Sequence, residues 1–168
     1  MKTLRTLSLI LALTIPALWT SAQKSASIDK ITDAYLGVKN ALAIGNGTVA
    51  ENKAKELFDA LSADPAKGLT ADQQKLFNSY ADKLKYDSRH ISETTTVDHQ
   101  REHFASLSKN LYEVLKGLKM NTATIYMEYC PMKKAYWLSE SSAIKNPYYN
   151  DKMMTTCGKV TATLPPVK

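Results

Sequence analysis

Cys130 and Cys157 are the two cysteines of this 168-residue chain, and each has methionine nearby, in Cys130-Pro131-Met132 and Met153-Met154-Thr155-Thr156-Cys157. Thiolates and thioethers are soft donors, and a cluster of them suits copper(I) first and zinc second. Met132 lies two residues after Cys130 and Met154 three before Cys157, so each stretch can wrap an ion with two sulfurs while Pro131 limits backbone freedom. The same cysteines allow a plainer outcome. A Cys130–Cys157 disulfide, with the methionines filling gaps in a core, is what an oxidising compartment favours. Spacing leaves both open.

The three histidines, His90, His99 and His103, fall around the join between two helical segments, so antiparallel packing brings them to one end of a bundle. His99 and His103 are four residues apart and share a helix face at the border of its apolar stripe. There they are either solvated polar side chains or further metal donors. The run His99-Gln100-Arg101-Glu102-His103 also has the H-x-x-E-H form of an inverted zinc-peptidase motif, with two histidines for zinc and a glutamate as general base. Such an enzyme needs a third protein ligand and a cleft, and only 65 residues follow His103. Phosphate-loop, nucleophile-elbow and dinucleotide glycine signatures are missing from the sequence. A non-catalytic role is therefore expected, and a small zinc hydrolase on His99, Glu102 and His103 stands third among the readings.

Helices must position these donors. Ile28, Ile31, Tyr35, Val38 and Leu42 step by three and four and predict a helix over about 27–44, ended by Gly45-Asn46-Gly47. Thr48 is expected to cap a second helix, about 49–63, through Val49, Leu57, Phe58 and Leu61, which residues 64–68 break. Thr70 and Gln73 form a capping box for a third helix, about 71–91, whose stripe is Phe77, Tyr80, Leu84 and Ile91. The fourth, about 97–119, carries Phe104, Leu107, Leu111, Val114, Leu115 and Leu118, with Gly117 loosening its end. Short loops between amphipathic helices predict an all-α, up-down four-helix bundle.

After Met120 the chain changes character. Thr122 to Tyr129 reads as strand, Gly158 to Leu164 alternates like one, and Pro131 and Pro147 exclude a long fifth helix. Residues 121–168 are therefore expected as an extended arm or small β-hairpin carrying the Cys/Met signature. A helix from Asp98 to Lys119 spans ~33 Å, and Asn121 to Cys130 in extended form also covers ~33 Å. An arm returning along helix four would thus deliver Cys130 near the level of His99 and His103.

Composition agrees with a single small core: 44% hydrophobic and 8% aromatic residues exclude a disordered or collagen-like chain. Residues 1–22 read as a signal peptide, with Lys2 and Arg5, an apolar run from Leu7 to Leu18, and small residues before a cut expected after Ala22. That run is shorter than the roughly 20 residues of a membrane span. Residues 23–168 then form one domain, periplasmic or secreted, and the absence of cysteine at the cut rules out a lipid anchor there. Without Lys2 and Arg5 the basic count falls from 22 to 20 against 16 acidic residues, a mild and scattered excess that gives no reason to expect a nucleic-acid partner.

Tyr129-Cys130-Pro131-Met132, Ala135-Tyr136-Trp137-Leu138-Ser139, Ile144-Lys145-Asn146-Pro147-Tyr148-Tyr149 and Met153 or Met154 to Cys157-Gly158 resemble an uncharacterised family of exported bacterial helical domains, domain-of-unknown-function family 3347. Gln100 to Phe104 with Leu107-Ser108 is similar to the same family, whereas Asn150 stands where its pattern has Gly. The resemblance implies a helical bundle and, because such domains also occur fused to periplasmic adaptor subunits of heavy-metal efflux pumps, a copper connection with an efflux adaptor as partner. Carried over, it makes Cys130, Met132, Met153 or Met154, and Cys157 the candidate ligands, with His99 and His103 as additional donors. It casts Tyr136, Trp137, Asn146, Pro147 and Tyr148 as builders of the surrounding loop. The expectation that results is a non-catalytic copper-binding protein that buffers the ion or hands it to an efflux system. The alternative is an interaction module stapled by Cys130–Cys157 with no metal.

Overall fold

The computed structural model describes residues 16–150 and 154–167, with side chains from residue 26 onward. Four helices come first: α1 (Pro16–Ala43), α2 (Gly47–Ser62), α3 (Ala71–Ser92) and α4 (Val97–Leu118). Three strands follow, β1 (Ile125–Cys130), β2 (Ala135–Ser139) and β3 (Lys159–Leu164), forming an antiparallel sheet in the order β2-β1-β3. The chain is therefore a helical domain with a small sheet and not purely all-α. The expected cut after Ala22 would fall within α1, ahead of the buried Ile28.

The apolar stripes expected on the helices are buried with few exceptions: Val49 is 41% exposed, and Phe58 and Tyr80 are half-buried. Caps are where local reading and structure part. Asn46, not Thr48, caps α2, its side chain accepting from the Val49 N–H at 3.0 Å. Gly47 can open the helix because it lies against the Thr95 carbonyl, where a Cβ would collide. The Thr70–Gln73 capping box forms as expected. Gly117 does not loosen α4. It stays within the helix, giving Leu76 room to pack, and Lys119 in the left-handed conformation ends the helix by donating to Leu115 O at 3.0 Å.

Each helix packs on the next in sequence, but α1 and α4 scarcely meet, and β2 packs against both. The sheet therefore closes the open side of the helical array. Trp137 and Leu138 on β2 are fully buried there. The Tyr35 hydroxyl, on α1, lies 2.6 Å from Ser108 Oγ on α4 and accepts from the Leu138 N–H at 2.9 Å, tying the three elements together. Phe104 stacks on Tyr35 at 5.1 Å and touches Tyr148, which meets Trp137 edge-on. A five-residue strand rich in aromatics looks like loop packing in a sequence. What makes Ala135–Ser139 a strand is its pairing with β1, from Cys130↔Ala135 to Tyr126↔Ser139, across the Pro131–Lys134 turn, with Lys134 left-handed at φ 52°.

Charged groups lie under this sheet. Lys39 is 1% exposed and pairs with Glu140 at 3.0 Å. Glu128, opposite Trp137, is fully buried with neither carboxylate oxygen hydrogen-bonded, and burial pushes its carboxyl up to about 7 despite the Trp137 side chain and the Lys39 charge.

Two predictions follow from this closure. Tyr35→Phe leaves the buried Leu138 N–H without an acceptor and should cost about 1–3 kcal/mol in urea denaturation. Between pH 4.5 and 7 the folded chain holds a proton on Glu128 that the unfolded chain releases, so this group's contribution to stability falls as pH rises through that window, by roughly 2–3 kcal/mol. Glu128→Gln removes that slope, so the variant's stability relative to the parent should climb from pH 4.5 to 7.5 and level off above.

Candidate metal centre

β1 runs from the α4 C-terminal end back along the bundle. Near its start the Thr122 hydroxyl donates to Asp29 at 2.8 Å, and its last residue, Cys130, is fully buried in the core cluster. Cys157 reaches the same point from the other side of β1, at the turn preceding β3. Gly158 allows this approach, since a Cβ there would come within 2.7 Å of the Trp137 ring. The two sulfurs lie 3.7 Å apart as free thiols, Cys157 being partly exposed.

The second cysteine is positioned by a built loop. Asn146 donates its backbone N–H to Thr155 O at 2.7 Å and its side-chain amide to Cys157 O at 2.6 Å, while its Oδ1 accepts from the Tyr148 N–H. Tyr148 donates its hydroxyl to Tyr136 O at 2.6 Å. Arg101 of α4 then fastens the loop to the bundle, donating from Nε to Pro147 O at 2.8 Å and from a terminal nitrogen to Leu42 O near the end of α1. Asn146, Pro147, Tyr148 and Tyr136 thus act through packing and backbone hydrogen bonds. Arg101 is the positioning residue that local sequence reading passes over, because a helix-surface arginine carries no distinguishing pattern.

The two thiols differ electrostatically. Burial opposes ionisation of Cys130, but the Lys133 N–H at 3.4 Å, the Asn146 side chain, the Cys157 thiol and the Met132 N–H outweigh it and hold this thiol below the ordinary range. Cys157 is pushed up by its hydrogen bond to Cys130, by burial and by the charge on that neighbour. The contact between the two sulfurs thus eases ionisation of Cys130 and opposes that of Cys157. The spacing also suits a common ion: metal–thiolate bonds of about 2.3 Å at a tetrahedral angle place two sulfurs about 3.8 Å apart, whereas a linear arrangement needs about 4.6 Å.

Of the methionines, Met132 sits on the Pro131–Lys134 turn and is 68% exposed. Met154 is half-buried at the start of the turn in which the Cys157 N–H donates to Met154 O at 3.1 Å. Met153 lies outside the described residues.

The histidines gather separately. One nitrogen from each of His90, His99 and His103 lies within 4.8 Å of the others, and among the described residues no cysteine shares this cluster. Arg101, which faces the Cys157 loop, is about 200° around the helix from both His99 and His103. The arm does return Cys130 toward the N-terminal half of α4, as the matched lengths suggest, but onto the opposite side of that helix from the imidazoles. The expectation that His99 and His103 add to a sulfur site thus gives way to two donor sets. Glu102, the expected general base of the hydrolase reading, is 74% exposed and lies 3.5 Å from His99 Nδ1.

A family model described as a protein of unknown function (DUF3347) matches residues 31–123. The chain belongs to this family. The matched span covers the helices from within α1 to the start of the arm and ends before either cysteine, so membership rests on the bundle and the His-bearing helices. No curated protein and no solved structure matches the chain.

The loop geometry predicts that Asn146→Ala, by removing one donor to Cys130 and freeing the Cys157 carbonyl, raises the Cys130 thiol toward its ordinary range. The thiolate ultraviolet absorbance of a Cys157→Ser background, titrated with and without Asn146→Ala, reads this shift directly.

Proposed function

We propose that this DUF3347 domain is a non-catalytic, exported soft-metal protein, copper(I) foremost and zinc second, that buffers the ion or passes it to an efflux adaptor. The observation that carries this reading is the meeting of two unbonded thiols, 3.7 Å apart, one of them held toward thiolate, from stretches of chain 27 residues apart. Thiolates are the donors that soft ions prefer, and the third and fourth positions would fall to the thioethers that neighbour the cysteines in sequence, Met132 and Met154. The exposure of Met132 fits a ligand that closes over an ion on arrival and opens to release it. Met153 is an equal candidate by spacing.

A second reading draws on the same contact. Joining the two sulfurs, with an oxidant taking the electrons and both protons released, would staple the β3 arm to β1 and remove both thiolates from metal chemistry. Redox state would then decide between an ion-binding and a stapled form.

Anaerobic titration of the reduced protein with copper(I) against a competing chelator tests the proposal. Sub-micromolar or tighter binding that is lost in Cys130→Ser, Cys157→Ser supports it, and no binding with both thiols free overturns it. Met154→Leu and Met132→Leu should each weaken binding by about 10-fold or more if that thioether is a ligand.

A further inference from the structure

We propose that His90, His99 and His103 form a second, independent metal site, one for a borderline divalent cation, with Asp87 as its outer-shell carboxylate. It does not rest on the sulfur reading, and it uses a residue, His90, that the H-x-x-E-H pattern does not contain.

The site is assembled by the α3–α4 turn. His90 stands in the last turn of α3, and His99 and His103 in the first two turns of α4. Gln100 locks that turn. Its side-chain amide donates to Thr94 O at 2.6 Å and Gly47 O at 2.9 Å and lies 3.3 Å from Ile91 O, in full burial. The imidazoles beside it are accordingly held on a rigid corner, with ligand nitrogens within 4.8 Å of one another.

Asp87 supplies the independent indication of a ligand. It is 4% exposed, and its carboxylate lies 3.2 Å from His103 Nδ1. A carboxylate there fixes the proton on Nδ1 and turns the Nε2 lone pair outward, the arrangement that metal-binding histidines use. At the other two rings the carboxylates stand farther off, Glu102 3.5 Å from His99 Nδ1 and Glu93 4.0 Å from His90 Nδ1. The Asp87 contact thus leaves Nε2 as the ligand atom of His103, the ring that anchors the cluster.

Three nitrogens around one ion at about 2.0–2.1 Å lie roughly 3.3–3.4 Å apart in a tetrahedral site. The rings need a small closing movement to reach this. His90 and His103 are stacked at 4.6 Å with planes 7° apart, so His90 must tilt out of the stack, and at 35% exposure it has room to do so. Tyr86 packs on His90 at 4.3 Å and forms a wall behind it. Three neutral imidazoles with a fourth position open to water suit Zn2+ or Cu2+ rather than the copper(I) that thiolates select. With His99 47% exposed, the ion would exchange readily with solvent.

The test uses the full chain carrying Cys130→Ser and Cys157→Ser, so that sulfur contributes nothing. Calorimetric titration with Zn2+ alone, and separately with Cu2+ followed by electron paramagnetic resonance, should give one ion per chain, with nitrogen hyperfine structure for copper. His90→Ala and Asp87→Asn should each weaken binding by about 10- to 100-fold. Asp87 is buried, so a folded far-ultraviolet circular dichroism spectrum qualifies that variant, and the exposed His99→Ala keeps the test decisive without it. Absence of stoichiometric binding overturns the proposal, as does binding indifferent to His90→Ala, which would reduce the site to an i, i+4 histidine pair. Absence of copper(I) binding by the reduced parent chain, both thiols free, with divalent binding intact would sink the sulfur reading alone.

Discussion

The fold turns on a gap between its first and last helices. Four helices that pack mainly on their sequence neighbours leave an open apolar side between α1 and α4, and an open apolar side is unstable in water. The three-stranded sheet fills it, with Trp137 and Leu138 as the apolar filling and the Tyr35 hydroxyl as the polar pin joining α1, α4 and β2. Because burial removes water as an alternative partner, that one hydroxyl must satisfy both Ser108 and the Leu138 backbone, and burial holds it well above the ordinary tyrosine range. The burial of Lys39 and Glu128 is a consequence of the same closure, since docking the sheet takes the first, on α1, and the second, on β1, out of water.

The closure also determines where the sulfurs go. Once β2 lies over the α1–α4 gap, its partner β1 ends with Cys130 inside the core, and the pairing of β3 with β1 brings Cys157 to the same level. The loop between β2 and β3 is then tied down twice, by Asn146 to Cys157 and by Arg101 to Pro147. Metal chemistry at this point would be coupled to packing, because the groups that orient the thiols are the ones that fasten the sheet to α4. The histidine cluster is organised differently. It depends on a rigid helix–turn–helix corner held by Gln100 and borrows nothing from the sheet.

The thiol pair and the imidazole cluster differ in donor type and are gathered separately in the fold. Thiolates are donors that soft ions prefer, whereas imidazoles suit borderline divalent ones. A chain that binds at both places could report on or handle two oxidation states of one metal, with neither site competing for the other's donors.

The helices, their apolar stripes, the capping box at Thr70 and the change of chain after Met120 were legible in the sequence, because periodicity and caps are local signals carried within one or two turns. The nearness of the two Cys/Met stretches was legible as chemistry without its geometry. Strand β2 was not, since five residues, two of them aromatic, become a strand only through pairing with β1. Nor was the separation of imidazole from thiol, which is decided by which face of α4 meets α3 and which meets the loop. Asp87, Arg101 and His90 acquire their roles through partners 16, 46 and 13 residues away in sequence, distances that no local pattern spans. Residue type thus dictated what each donor can bind, and the burial of one sheet against two helices decided which donors meet.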